Sequence, residues 1–405
     1  MNRGRLAGTA AIASIAALAA ASPASAQKHY GPGVSDTGIK IGQSAPFSGP
    51  VSLAGELARG EIAYIRMIDD QGGVNGRKID LISLDDAYTP ARTLEQTRKL
   101  VEQDGVAFIF GTIGTPTNLA IEKYLNDRKI PQLLIATGAE RWGDFKRFPW
   151  TMAFNPTYRA EARVYAKYFM KHRPAAKFAV LYQNDDFGSD YLDGLKDVFG
   201  GDFDKIVVKK ASYEVSDPTV DSQIVALQSS GADILLSVTT PKASAQAIRK
   251  VHDLGWKPTF LLSNIAASIG AVFRPAGLDK SIGIVTASAY KDPSDPRWQN
   301  DDDMKAYTAF MAKYMPKSDP ANVYYLWGFA EGQALVQILK QCGDDLTREN
   351  ILKQATNLHQ VKVAVLFPGI TMNTSPTNYH PITQLQLQRF DGTRMVPFGE
   401  VISAE

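Results

Sequence analysis

One cysteine in 405 residues leaves no disulfide framework and no cysteine-based zinc site to build. An excess of one charge is missing too. The 44 Lys+Arg stand against 42 Asp+Glu, a formal +2 that gives no electrostatic footprint for nucleic acid. Only five histidines are present, at positions 29, 172, 252, 359 and 380, scattered and without an H-E-x-x-H spacing. His172 and His252 fall late in predicted helices, where surface or helix-end charge is the ordinary role, so no metal site and no cofactor are expected. No G-x-x-x-x-G-K-[ST] loop, no G-x-G-x-x-G after a strand and no G-x-S-x-G is found. Long hydrophobic runs are absent as well. The longest, Leu6 to Ala21, is Ala-rich and shorter than the roughly 20 residues of a spanning helix.

That run sits in a recognisable context. Arg3 and Arg5 precede it, and Ser22-Pro23-Ala24-Ser25-Ala26 follows, so residues 1–26 read as a secretory signal peptide cleaved after Ala26. Its removal takes away two arginines and no acid, which leaves a formally neutral chain. A lipoprotein needs a cysteine at the cleavage site, and Cys342 lies far downstream at the end of an apolar helical pattern, where a small buried residue is the expectation. The expected product is exported and unanchored, in the periplasm. Composition is otherwise ordinary, with 44% hydrophobic and 21% charged residues, 32 Gly and 22 Pro. Collagen, coiled coil and wholesale disorder are excluded, and the length suits two or three domains.

Short apolar strands alternate with helical patterns. Strands are expected at 39–42, 78–84, 106–110 and 132–135, with helices at 56–71, 92–103 and 117–128 between them. After Asn155-Pro156 the rhythm resumes with helices at 159–171, 191–199, 220–229 and 243–254 and strands at 178–182, 206–213, 234–238 and 259–262. A strand at 282–287, helices at 304–314, 323–342 and 347–357, and a late strand at 384–390 complete the reading. The fold class is α/β, two doubly wound parallel-sheet lobes. Either the lobes follow one another, or the tail after Ile282 returns to the first. A ligand belongs outside the carboxyl ends of the strands, in the cleft between lobes.

Candidate chemistry at those strand ends is sparse. Gly111-Thr112-Ile113-Gly114-Thr115-Pro116-Thr117 is a turn feeding a helix, either a generic anion site suited to a carboxylate or a plain cap by Thr115 or Thr117. Asp85-Asp86 and Asp185-Asp186 each follow a strand; such pairs cap turns or bind polar ligands more often than they do acid/base work. Asp301-Asp302-Asp303 opens a helix, where negative charge suits the dipole. Tyr324-Tyr325-Leu326-Trp327 is longer than one helix face needs, so it is either core throughout or puts one ring on the cleft. No enzyme motif emerges, and a binding function leads.

Two blocks carry a resemblance: Ile39-Lys40-Ile41-Gly42-Gln43-Ser44-Ala45-Pro46-Phe47-Ser48-Gly49-Pro50, and Asp70-Gln71-Gly72-Gly73-Val74-Asn75-Gly76-Arg77-Lys78-Ile79 ending in Asp85-Asp86. Together they resemble the leucine/isoleucine/valine-binding family of periplasmic solute-binding proteins that serve ABC transporters, from Ile39 to about Glu400. The resemblance implies a type I periplasmic binding fold with three crossovers and a hinge that closes on ligand, a motion well known in periplasmic binding proteins at large. It implies a first lobe of 37–156 plus 285–362 and a second of 157–284 plus 363–400. It also implies a small-molecule carboxylate as ligand, an inner-membrane ABC permease as partner and a monomeric state.

The implied ligand contacts are Phe47, Ala54, Thr115, Ala136, Thr137, Gly138, Phe187, Thr240, Asn264, Tyr290 and Tyr325. Thr115 and the segment Ala136-Thr137-Gly138-Ala139 would hold a carboxylate without a formal positive charge. Amino-acid binders of the family place an acid where this chain has Asn264, an aromatic ring near Ala54, and a tyrosine where Phe187 stands before Gly188. Those departures, with segments 137–144 and 182–188, resemble a subset that binds benzoate- and cinnamate-like acids. An exported hydrolase using either acid pair, a sensory protein of the same fold, and an α-amino acid ligand remain alternatives.

Overall fold

The computed structural model describes residues 28–403 together with Met1; the expected signal peptide therefore lies, Met1 aside, outside the described residues. Two sheets organise the chain. The first is parallel and built from β2 (Gly38–Ala45), β3 (Lys78–Asp85), β4 (Ile109–Phe110), β5 (Gln132–Ile135) and β6 (Thr151–Ala153), in the order β3-β2-β4-β5-β6. The second contains β7 (Phe178–Gln183), β8 (Val207–Tyr213), β9 (Ile234–Val238), β10 (Thr259–Leu262), β11 (Val285–Ser288), β13 (Gln384–Phe390) and β14 (Met395–Ser403), in the order β14-β13-β11-β10-β9-β7-β8. There β13 runs antiparallel to both its neighbours. A small extra pair joins β1 (His29–Tyr30) to β12 (Asp345–Leu346).

The strands form where apolar, β-branched runs are buried on both faces, as in the fully buried Ile234–Val238. Helices cover the sheets, which produces the doubly wound pattern. The chain passes between the sheets three times: from β6 into the helix Tyr158–His172, from β11 toward the helix Asp302–Tyr314, and from the helix Arg348–Ala355 to β13. Val285–Ser288 pairs with Leu261 on one side and with 386–389 on the other, so it belongs to the second sheet. The expected boundary at 284/285 therefore shifts: the return to the first lobe begins after Ser288. β14 is a further departure, because Pro397 and Gly399 hide a strand that tolerates them only as the edge of the sheet.

The first lobe closes on a helix pair, Gly55–Asp70 against Val323–Cys342, far apart in sequence. Their backbones approach so closely that a methyl group on Gly60 would sit 3.0 Å from the Tyr325 carbonyl oxygen. One on Gly328 would collide with the Leu57 carbonyl. Tyr64 lies edge-on to Phe329 at 5.0 Å and also meets Phe310 of the helix Asp302–Tyr314. Cys342, at the end of this pair, is buried, and burial pushes its thiol up to about 12. Among the described residues no helix is long and apolar enough to cross a membrane.

Two glutamates meet inside this pair. Glu61 and Glu331 are fully buried, and Gln43 Nε2 donates to Glu61 Oε2. Neither oxygen of Glu331 has a protein donor, so the acids satisfy each other only by holding a proton between them. Burial drives both pKa values above the glutamate range. Such acids stay protonated in the fold but ionise in the unfolded chain above about pH 4.5. Their contribution is therefore complete in acid and lost as pH rises from that range through neutrality. The thermal midpoint should fall between pH 5 and pH 8, each retained proton adding a slope of up to about 1.4 kcal/mol per pH unit. Calorimetry on Glu331→Gln should show a flatter profile; an unaltered slope would clear the pair of this role.

Candidate functional site

Parallel strands followed by helices put every helix start at the same end of a sheet, and here both sheets turn that end toward one cleft. A cavity of 510 Å³ lies there. Its wall touches the first turn or cap of six helices, at Ala54, Thr115, Tyr158, Phe187, Thr240 and Tyr324. Three of these helices carry side-chain caps, from Thr157, Asp185 and Asn322. No side chain caps the helices Thr115–Asp127 and Pro241–Asp253, so their first-turn N–H groups and the positive end of each dipole are presented to the cleft.

A hydroxyl chain ends at the same place. Tyr158 Oη donates to Thr137 Oγ1 at 3.3 Å, and Thr137 Oγ1 lies 2.7 Å from Thr115 Oγ1. Burial pushes the Tyr158 phenol up to about 12, so it remains a neutral donor. With Tyr158 donating to Thr137 and Thr137 to Thr115, the Thr115 hydrogen is left for the cleft. Thr240 is held in turn by Tyr213, whose hydroxyl accepts from the Thr240 N–H at 2.9 Å.

The acid pairs shape the walls. Asp85 accepts from Ser48 and from the Ala87 N–H, and Asp86 accepts from the Tyr88 N–H at 2.8 Å and from Thr93 Oγ1 at 3.0 Å. These bonds hold Ala87 and Tyr88 in the left-handed region, at φ 51° and 58°. The turn sends the Tyr88 ring into the cavity, where a methyl group on Gly114 would collide with it. Asp185 accepts from the Phe187 and Gly188 N–H groups and from Gln183 Nε2. Asp186 pairs with Arg141 at 3.1 Å, while the other arm of Arg141 reaches the buried Glu122 at 2.7 Å, so one guanidinium ties the two lobes. On the far side the Tyr324 hydroxyl donates to the Ile265 carbonyl at 2.6 Å.

Of the residues expected at the site, Ala54, Thr115, Ala136, Phe187 and Thr240 line the cavity. Thr137 stands behind Thr115, fully buried, and the Gly138 carbonyl accepts from the Tyr158 N–H at 2.7 Å. Phe47 lies outside the cavity, with the Arg59 guanidinium 4.9 Å from its ring. Tyr325 turns toward the helix Gly55–Asp70 and bonds Glu56; its neighbours Tyr324 and Trp327 face the cavity instead. Asn264 and Tyr290 line a second cavity of 390 Å³, which shares Trp327 with the first. The Asn264 N–H donates to Glu161, a buried acid that burial pushes up to about 8. Tyr88 and Tyr158 were not expected, and the aromatic stretch at 324–327 pointed to one ring, taken as Tyr325, where Tyr324 and Trp327 stand instead. Among the described residues no group of three or more His, Cys, Asp or Glu is placed to hold a metal ion.

The sequence profile of a family described as "Periplasmic binding protein" matches residues 38–394. A "Leu/Ile/Val-binding protein homolog 7" from Brucella suis biovar 1 is 27% identical over 261 residues, which is 62% of this chain and 62% of that relative's own length. The fold is that of a branched chain amino acid ABC transporter protein from Thermus thermophilus with bound valine, at TM-score 0.81 and 15% identity, covering 91% of this chain and 97% of that one. It is equally that of an ABC transporter solute binding protein from R. palustris in complex with 4-hydroxybenzoate, at TM-score 0.75 and 18% identity, covering 90% and 97%. Both likenesses establish a type I periplasmic binding fold.

The turn at Asp86 can be tested alone. Asp86→Ala strands the Tyr88 N–H and the Thr93 hydroxyl, and urea unfolding should show a loss of about 1–3 kcal/mol. Asp86→Asn, which keeps an acceptor, should recover most of it. Equal losses in both variants would mean that the charge, not the turn, is what Asp86 supplies.

Proposed function

The chain belongs to the periplasmic binding protein family, and from that premise we propose that it binds a small carboxylic acid, aromatic rather than an α-amino acid, in the cleft between its lobes. The protein is exported to the periplasm, closes about its three crossovers on the ligand and delivers it to the permease of an ABC importer. One observation carries the choice of ligand. The 510 Å³ cavity offers uncapped helix starts and the Thr115 hydroxyl, all suited to a carboxylate, while no charged side chain is among the described residues that line it. An ammonium enclosed there would lose its hydration without a partner. Tyr88, Phe187, Tyr324 and Trp327 supply the flat apolar walls that an aromatic ring fills. The 4-hydroxybenzoate complex of the R. palustris protein supports this reading. The valine-bound T. thermophilus structure favours a second, a branched-chain amino acid.

A thermal-shift screen separates them. Benzoate, hydroxybenzoates and hydroxycinnamates should raise the midpoint by several degrees at about 100 times the dissociation constant, where linkage adds about 2.7 kcal/mol. Leucine, valine and other α-amino acids should leave it in place. A shift with leucine or valine alone would replace the first reading by the second.

The hydroxyl chain makes its own forecast. Thr115→Ala should weaken a carboxylate by roughly 1–3 kcal/mol. Thr137→Val, which never touches the ligand, should weaken it by a smaller amount in the same direction, because Thr115 loses the partner that orients it. Calorimetric titration measures both, and unchanged affinity in Thr137→Val would end the relay.

A further inference from the structure

One short segment of the first lobe reaches the second away from the cavity. Glu140–Gly143 is a single helical turn that closely follows Ala136, a residue of the cavity wall, and the helix Thr115–Asp127 anchors it through Glu122 and Arg141 at 2.7 Å. Opposite stands the start of the helix Asp186–Phe199, which carries Phe187 to the cavity. Two bonds cross the gap. Arg141 Nη1 donates to Asp186 at 3.1 Å, and the Glu140 N–H donates to Asp190 Oδ2 at 2.8 Å. The third crossover braces this region from behind: Tyr379 donates to the Pro149 carbonyl at 3.2 Å, and a methyl group on Gly143 would collide with the His380 ring. None of Glu140, Arg141, Asp186 and Asp190 lines the 510 Å³ cavity.

The charges around Asp190 make the second bond sensitive to protons. Those that face it are all negative, Glu140 across the gap and Asp186 and Asp193 on its own helix. The nearby cations are committed elsewhere, Arg141 to Asp186 and Glu122, Arg159 and Arg163 to Asp197. His380 stands beyond Glu140, and burial lowers its pKa, so it brings no charge near neutrality. Burial first, and then the neighbouring acids, push the Asp190 carboxyl up to about 7. Opening the cleft would return it to water and to the ordinary carboxylate range, so closing takes up a proton. Closing is therefore favoured in acid, and that advantage is lost as pH rises from the carboxylate range to about 7.

We infer that Glu140–Gly143 and the start of Asp186–Phe199 form a proton-sensitive latch, in which Arg141, Asp186 and Asp190 are positioning residues that set how long a ligand stays by fixing Phe187 against the Thr115 side of the cleft. The inference rests on reading the cleft as the binding site, and it holds for either class of ligand.

Stopped-flow and calorimetric titration with 4-hydroxybenzoate and with valine, at pH 6 and pH 8, tests the latch on whichever binds. Both probes keep an ionised carboxylate over that range. Wild-type protein should bind up to about tenfold more tightly at pH 6. Asp190→Asn, which holds the neutral form, should match that affinity at both pH values. Asp186→Asn should weaken binding by about two- to fivefold, through faster dissociation. Asp197→Asn, which breaks ion pairs of the same helix within its own lobe, should change nothing. If a probe binds and Asp186→Asn and Asp190→Asn behave as wild type, the latch falls while binding in the cleft stands. Binding of valine alone removes the aromatic reading and leaves the latch to be judged on valine. If neither probe binds, small-angle scattering decides. A radius of gyration larger at pH 8 than at pH 6 in wild type, and constant in Asp190→Asn, supports the latch; a radius that ignores pH in wild type overturns it.

Discussion

A parallel strand followed by a helix can point its free N–H groups only one way, and everything at the cleft depends on that constraint. Five of the six helix starts at the cavity follow a parallel strand and meet there because two sheets present the same end to each other, and the sixth, Val323–Cys342, follows another helix. The positive potential of the wall thus comes from backbone and hydroxyls, with no lysine or arginine among the described residues that line it. Where a helix start must not compete, a carboxylate neutralises it: Asp185 occupies the start of Asp186–Phe199 and leaves that helix to contribute the Phe187 ring. Capped and uncapped helices stand side by side in the wall, the uncapped starts at Thr115 and Pro241 leaving first-turn N–H groups and Tyr88, Phe187, Tyr324 and Trp327 adding aromatic surface.

The lobes are buttressed by groups that would be poor choices on a surface. Gly60 and Gly328 let two helices touch along their backbones, and the space so narrowed forces Glu61 and Glu331 together out of water. A charged pair could not survive there, and a shared proton can. Glu161 in the second lobe is a different solution, since three donors from Tyr165, Tyr191 and the Asn264 backbone surround it. That carboxyl fixes the backbone at Asn264, between the two cavities, so a buried acid that lines neither of them shapes the wall of both.

Much of this was legible beforehand. The strands 132–135, 234–238 and 259–262 stand where short apolar runs placed them, and the alternating strand 384–390 and the helix 323–342 also stand at their expected ranges. The helix after β7 begins at Asp186 and not at Tyr191, because Gly188 and Ser189 blur the apolar pattern while the Asp185 cap is no periodic signal. Val285–Ser288 reads as a strand, yet nothing in its pattern says which sheet accepts it. At the site, the resemblance named Thr115, Ala136 and Thr240, which follow strands directly and line the cavity. It missed Tyr88, whose entry depends on two left-handed residues in a turn. Phase was the obstacle at 324–327. Tyr324 and Trp327 share a face at spacing three, but a helix buried nearly all round offers no polar side from which to set its rotation.

Neither lobe is a continuous stretch of chain, and this governs the order in which the protein can come into being. The helix Gly55–Asp70 waits for Val323–Cys342 to bury its glycine face, and the first short strand, His29–Tyr30, finds its partner only at Asp345–Leu346. The second sheet waits longer still, for β13 and β14 at the very end of the described chain. A polypeptide emerging from its N-terminus accordingly has no complete lobe to fold into until synthesis is nearly finished, and contacts of such long range form slowly. Until then the segments that would close either lobe lack their partners.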